Sequence, residues 1–104
     1  VAWTYHTGRR VSGPGIGVDE NTPLQIGDTL YSCTPLNVVT ALDADSGKAR
    51  WRFDPHAQTA EHVTCRGVGY YDVQNDTSLT AQEKASPDLQ QCPQRILVST
   101  VDAR

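Results

Sequence analysis

The clearest alternation of apolar and polar positions lies at residues 49–53, where Ala49, Trp51 and Phe53 alternate with Arg50, Arg52 and Asp54. A period of two places one set on each face of a strand. Residues 38–43 just before are mostly β-branched and apolar and end in Asp43, and Asp45-Ser46-Gly47 lies between the two runs. Asp and Ser bond nearby backbone and Gly accepts positive φ, so this triplet is turn chemistry. Strand, tight turn and strand predict a hairpin whose second strand buries Trp51.

The same reading extends upstream and downstream. Residues 1–7 alternate, with Trp3 and Tyr5 on one side, and predict a strand. Residues 8–19 carry four glycines and one proline, which predicts a loop, long enough to be functional rather than a simple connector. Residues 22–26 predict a short strand, Gly27-Asp28 a turn, residues 30–34 a returning strand, and Pro35-Leu36-Asn37 the next turn. With the hairpin above, this is an antiparallel meander, as in one propeller blade or part of a small sandwich. Asp54-Pro55 ends it, and a polar stretch with His56 and His62 follows. Residues 66–73 predict a strand in which Gly67 and Gly69 allow close backbone approach. Residues 74–93 read as a polar insertion, with a helical turn or two at 79–85. Residues 95–101 are apolar on both faces, as expected of an inner strand.

Composition narrows the class. The chain has 104 residues, enough for one small domain, and begins with Val rather than Met, so it is expected to be a piece of a longer protein. A net charge of −3 argues against a nucleic-acid partner held by a basic surface. No apolar run approaches the ~18 residues of a membrane span. Cys33, Cys65 and Cys92 allow at most one disulfide and one free thiol, and without a C-x-x-C spacing a structural zinc site is not expected.

Ala41, Asp43, Gly47 and Trp51 fit an A-x-D-x-x-x-G-x-x-x-W repeat, and Trp3 with Tyr5 and Gly8 looks like the end of a preceding copy. Further motifs are Glu20-Asn21-Thr22-Pro23-Leu24, Gly27-Asp28-Thr29-Leu30-Tyr31, His62-Val63-Thr64-Cys65-Arg66-Gly67-Val68-Gly69-Tyr70 and Cys92-Pro93-Gln94-Arg95-Ile96. Together, and in this order over nearly the whole chain, they resemble the N-terminal part of the catalytic domain of the membrane-bound quinoprotein glucose dehydrogenases. The resemblance implies an all-β fold, a fragment of an eight-bladed quinoprotein β-propeller built of antiparallel meander blades with a Trp-docking repeat. One blade would end at residues 1–8, a full blade would occupy about 22–54, and the next would begin at about 62–104 with the insertion 74–93.

The resemblance also implies pyrroloquinoline quinone (PQQ) and a divalent cation, calcium or magnesium, in the intact enzyme. The reaction would be oxidation of glucose or another aldose at C1 to the lactone, with electrons passed to ubiquinone. The site would be the periplasmic side of the bacterial inner membrane, and the parent would be anchored by segments this chain does not carry. Arg66 is implied as a contact to a PQQ carboxylate, which suits a guanidinium fork, and Gly67 as the point of backbone approach. Glu20 is implied as a cofactor contact that pairs with Arg66 or accepts from the pyrrole N–H. His62 is implied near cofactor and sugar. The family's catalytic carboxylate, cation ligands and quinone-contacting Lys match no position here, so no catalytic or metal residue is assigned, and the isolated piece is expected to be inactive and to hold no cofactor. Thr64-Cys65 stands where related alcohol dehydrogenases have a vicinal disulfide, and a Cys65–Cys92 pair in an oxidising compartment is one arrangement open to the remaining cysteines. His6 and His56 carry no assigned role. The rival readings are another PQQ-dependent enzyme, for polyols, quinate or shikimate, and a non-catalytic propeller scaffold.

Overall fold

The computed structural model describes residues 2–8, 17–58 and 63–102. Four strands form one antiparallel sheet in chain order: β1 (Leu24–Ile26), β2 (Thr29–Cys33), β3 (Val39–Asp43) and β4 (Ala49–Phe53). Each strand is joined to the next by a short turn, which is the meander the alternating pattern predicts. A second sheet pairs β5 (Gly69–Asp72) with β6 (Gln94–Leu97). Between them lie a 3₁₀ turn (Val73–Asn75) and two short helices, α1 (Ala81–Lys84) and α2 (Pro87–Gln91). The molecule is a plate, 52 × 36 × 18 Å.

The core sits where the two sheets meet. Cys33, Val39 and Cys65 are buried together, with Val68, Ile96 and Val98 packed against them. Burial in the main sheet concentrates on β3, one of its two inner strands: Val39, Thr40, Ala41 and Leu42 are all buried, whereas in β2, the other, only Thr29 and Cys33 are. A disulfide joins Cys33 at the end of β2 to Cys65 in the loop before β5. Closing a loop of that length stabilises by about 3–4 kcal/mol in the chain-entropy treatment.

The β3–β4 turn is built from side chains. Asp43 Oδ1 accepts from the backbone N–H groups of Asp45 and Ser46 at 3.0 and 2.9 Å and from the Ser46 hydroxyl at 3.0 Å. Gly47 adopts φ +72° and donates its N–H to the Asp43 carbonyl at 2.8 Å. The ladder then shifts register: Ala41 pairs with Trp51 and Leu42 with Ala49, so Arg50 has no partner across the ladder. Such a bulge re-aims a side chain. Here Arg50 reaches Asp43 at 2.8 Å and Asp28, in the β1–β2 turn, at 2.9 Å. The two turns at this end of the sheet are therefore clamped by one guanidinium.

Several expectations are corrected. Residues 2–8 join no sheet; Trp3 instead holds the segment, its indole N–H donating to the Ala44 carbonyl at 3.0 Å. Trp51 is not buried but 43% exposed, because β4 is an edge strand; its ring meets Tyr31 at a centroid distance of 5.9 Å and shares an apolar recess with Val39, Phe53, Ile96 and Val98. The strand expected at 66–73 begins only at Gly69, since Arg66 spends its carbonyl on Thr22 N–H at 2.9 Å. The strand expected at 95–101 is four residues at Gln94–Leu97 and is not an inner strand, for it pairs with β5 alone and leaves Leu97 exposed. Cys65 pairs with Cys33, not with Cys92, which is a free, exposed thiol. The insertion is more helical than expected: α1 carries a capping box between Thr80 and Glu83, and Pro87 starts α2. The loop expected at 8–19 lies largely outside the described residues, as do residues 59–62.

Candidate functional site

Two segments without ladder pairing come side by side next to the end of β2. Val18 N–H donates to the Val63 carbonyl at 3.2 Å and Thr22 N–H to the Arg66 carbonyl at 2.9 Å, so residues 18–22 and 63–66 run in the same direction. The Thr64 hydroxyl adds a bond to the Val18 carbonyl at 3.0 Å. Pro23 precedes β1, and its ring Cδ crowds the backbone of Thr22 out of the helical region, which favours an extended approach there.

This alignment brings Glu20 and Arg66 together, with Oε2 and Nη2 3.4 Å apart. The Arg66 side chain is 83% exposed and, among the described residues, has this one ion pair. Most of its five donors therefore face outward and can take a carboxylate. The donor chemistry fits a planar tricarboxylate such as PQQ: a guanidinium fork to bind it, and a carboxylate, Glu20, whose charge is already offset by that same guanidinium. Gly67 follows; a Cβ there would just touch the Thr22 carbonyl oxygen, at 3.4 Å, so the two segments lie at van der Waals distance at this point. His62, the remaining expected member of the group, lies outside the described residues.

The expected repeat residues occupy a different place. Ala41, Asp43 and Gly47 build β3 and its turn, and Trp51 lies on β4. Asp43 is held well below the usual carboxylate range, first by its bond to Arg50 and then by those from Ser46. Asp28 is lowered by the same guanidinium, and Arg50 is raised in turn by both acids. Among the described residues no group of three His, Cys, Asp or Glu is placed to hold a metal ion and no helix is long and apolar enough to cross a membrane.

Two residues escaped the sequence reading. Asn21 bridges the site to β2: its Oδ1 accepts from Cys33 N–H at 3.2 Å and its Nδ2 donates to the Ser32 hydroxyl at 3.1 Å. Asn21 lies in the Glu20–Leu24 motif, and its one signal in the sequence is an amide just ahead of a short strand. Arg50 looked like one of three polar positions in an alternating strand, and the bulge that singles it out leaves no mark in that pattern.

Comparison with known proteins bears on the whole chain. A family model described as "Glucose/ethanol/alcohol dehydrogenase, beta-propeller domain" matches residues 1–104. The quinoprotein glucose dehydrogenase of Escherichia coli (strain K12) is 42% identical over 109 residues, covering 99% of this chain and 13% of that protein. Quinoprotein glucose dehydrogenase A of Acinetobacter calcoaceticus is 37% identical over 110 residues, covering 100% of this chain and 14% of that protein. The quinate/shikimate dehydrogenase (quinone) of Acinetobacter baylyi is 38% identical over 109 residues, covering 99% and 14%. The chain thus spans about one-seventh of the length of these curated relatives. No solved structure matches. With an antiparallel meander of the kind such a propeller requires and a match that runs from its first residue to its last, the chain belongs to the PQQ family of glucose/ethanol/alcohol dehydrogenase β-propeller domains.

Proposed function

We propose that this chain contributes the Glu20–Arg66 side of the cofactor site in a PQQ-dependent dehydrogenase that oxidises glucose or a related aldose. The observation that carries the reading is the juxtaposition of Glu20 with a largely unengaged Arg66 at the junction of two aligned segments. Arg66 binds a cofactor carboxylate through its fork; Glu20 fixes the guanidinium and offsets its own charge against it; His62 serves recognition of the sugar. PQQ, when bound, supplies the two-electron oxidation. The net reaction converts the C1 hemiacetal of the aldose to the lactone and delivers two electrons and two protons to ubiquinone. A divalent cation, calcium or magnesium, bound by residues elsewhere in the parent, and a location on the periplasmic side of the inner membrane complete the reading. The support for the sugar is the naming of two relatives as glucose dehydrogenases.

A second reading, oxidation of a quinate-like or polyol substrate, is favoured by relatives named as quinate/shikimate and glycerol dehydrogenases at 38% and 30% identity. The test is dye-linked oxidation by the full-length enzyme, reconstituted with PQQ and calcium, on glucose, xylose, quinate and glycerol. The first reading expects kcat/KM for glucose at least tenfold above quinate and glycerol. A reversed order overturns it in favour of the second.

A further inference from the structure

Resting on the reading of Arg66 as a cofactor residue, the geometry points to a further role for three residues outside the cofactor contacts. We propose that the Cys33–Cys65 disulfide and Asn21 are positioning residues that hold Arg66 and Glu20 in register for the cofactor. Arg66 follows Cys65 directly in the chain, and Cys65 is fastened to Cys33 at the end of β2. Glu20 precedes Asn21 directly, and Asn21 is fastened to the same end of β2 by its bonds to Cys33 and Ser32. The two exposed, charged side chains are thus each one residue away from an anchor, and both anchors converge on Cys33. The Thr22 N–H to Arg66 carbonyl bond closes the arrangement on the third side.

The arrangement answers a physical need. The Glu20–Arg66 contact is an exposed ion pair at 3.4 Å, a class of interaction too weak to order two long side chains by itself. Neither residue belongs to a strand, so no ladder fixes its backbone. β1 starts only at Leu24, opposite Tyr31, and leaves Ser32 and Cys33 without a neighbouring strand on that side; the Asn21 side chain supplies their partner instead. On the other side, Cys33 and Cys65 are both buried, so the covalent link rests in the core and passes its position to an exposed neighbour. A pre-organised fork binds a carboxylate without first losing the freedom of its loop.

The experiment is PQQ titration of the full-length apoenzyme, followed by quenching of protein fluorescence. The forms compared are wild type, Asn21→Ala and the pair Cys33→Ser with Cys65→Ser, each with and without Arg66→Ala. In a parallel arm the wild type is treated with dithiothreitol, which closes to its cyclic disulfide as two electrons and two protons convert Cys33–Cys65 to two thiols. The expected result is a five- to fiftyfold weakening of PQQ affinity in the Asn21 and Cys variants and in the reduced wild type. In the Arg66→Ala background the same changes cost less than twofold, because they act through Arg66. General softening of the fold would instead multiply with the loss from Arg66→Ala, and that outcome overturns the proposal. So does an unchanged affinity in Asn21→Ala together with the reduced wild type, an arm that stands even where the Cys→Ser pair fails to fold. If Arg66→Ala itself leaves PQQ affinity unaltered, the cofactor reading falls and this proposal with it; if Arg66→Ala weakens binding and the tethers do not matter, only the positioning role falls.

Discussion

The indole of Trp3 occupies the space where a Cβ on Gly47 would sit. The ring comes from a segment that joins no sheet, and its indole N–H donates to the carbonyl of Ala44 in the same turn. Glycine is required here twice over: by its φ of +72° and by the ring above it.

Gly47→Ala is accordingly expected to destabilise the protein by about 1–3 kcal/mol from the left-handed backbone alone, with the displacement of Trp3 added. Denaturant unfolding of the full-length enzyme measures the sum. Making the change in a Trp3→Ala background isolates the second part: Gly47→Ala should then cost less. An equal cost in both backgrounds would show that the ring does not press on the turn.

The clamp made by Arg50 has a pH signature. Asp43 and Asp28 are both lowered by Arg50 in the folded state. A carboxylate lowered on folding contributes stability that is present above its unfolded value, near 3.9, and is lost as pH falls through the folded value. The wild type should therefore lose melting temperature as pH drops below about 4, and Arg50→Gln should flatten that acid limb while changing little between pH 6 and 8 in its slope. Parallel acid limbs in wild type and Arg50→Gln would remove the clamp as the cause.

How much of this was legible beforehand depends on which interaction sets each feature. The meander from Leu24 to Phe53 was readable because turn residues and two-fold alternation act locally. Trp51 misled because the alternation marks a face as apolar without saying what covers it. Cys65 misled in another way: three cysteines allow three pairings, and the choice of Cys33 comes from the packing of two sheets. The Glu20–Arg66 meeting was foreseen only through resemblance, since the two residues lie 46 positions apart (66 − 20) and their alignment rests on backbone bonds between segments with no periodic pattern.

Exposure at Trp51 gives a spectroscopic expectation. In the 104-residue chain, iodide should quench Trp51 more readily than Trp3, whose ring is half-buried on the turn. Trp51→Phe should remove the more quenchable component and Trp3→Phe should leave it. Trp51→Ala should cost about 2 kcal/mol or less in this chain, below the ~3–5 kcal/mol of a fully buried aromatic. Equal quenching of the two single-tryptophan variants would contradict the edge position of β4.

Arg66 allows binding and stability to be separated. Its side chain is 83% exposed and its ion pair with Glu20 is of the weak surface kind, so Arg66→Ala should move the melting temperature of the full-length apoenzyme by no more than about 1 °C, the scale of a few tenths of a kcal/mol. Losing a charge-assisted bond to a bound carboxylate costs ~1.5–3 kcal/mol, which corresponds to a PQQ affinity lower by roughly 10- to 150-fold. Arg66→Lys should recover part of the loss, because it restores the charge but not the two parallel donors. His62→Ala should instead raise the KM for the sugar and leave PQQ affinity within about twofold, a factor worth ~0.4 kcal/mol. Glu20→Ala should fall between, since it leaves the fork in place but frees it to turn. Apoenzyme melting curves and PQQ titrations read all four variants, and steady-state sugar kinetics on the reconstituted enzyme read the KM of His62→Ala. A melting temperature that falls in step with affinity at Arg66 would mean the residue supports the fold, and the exposed guanidinium would lose its claim on the cofactor.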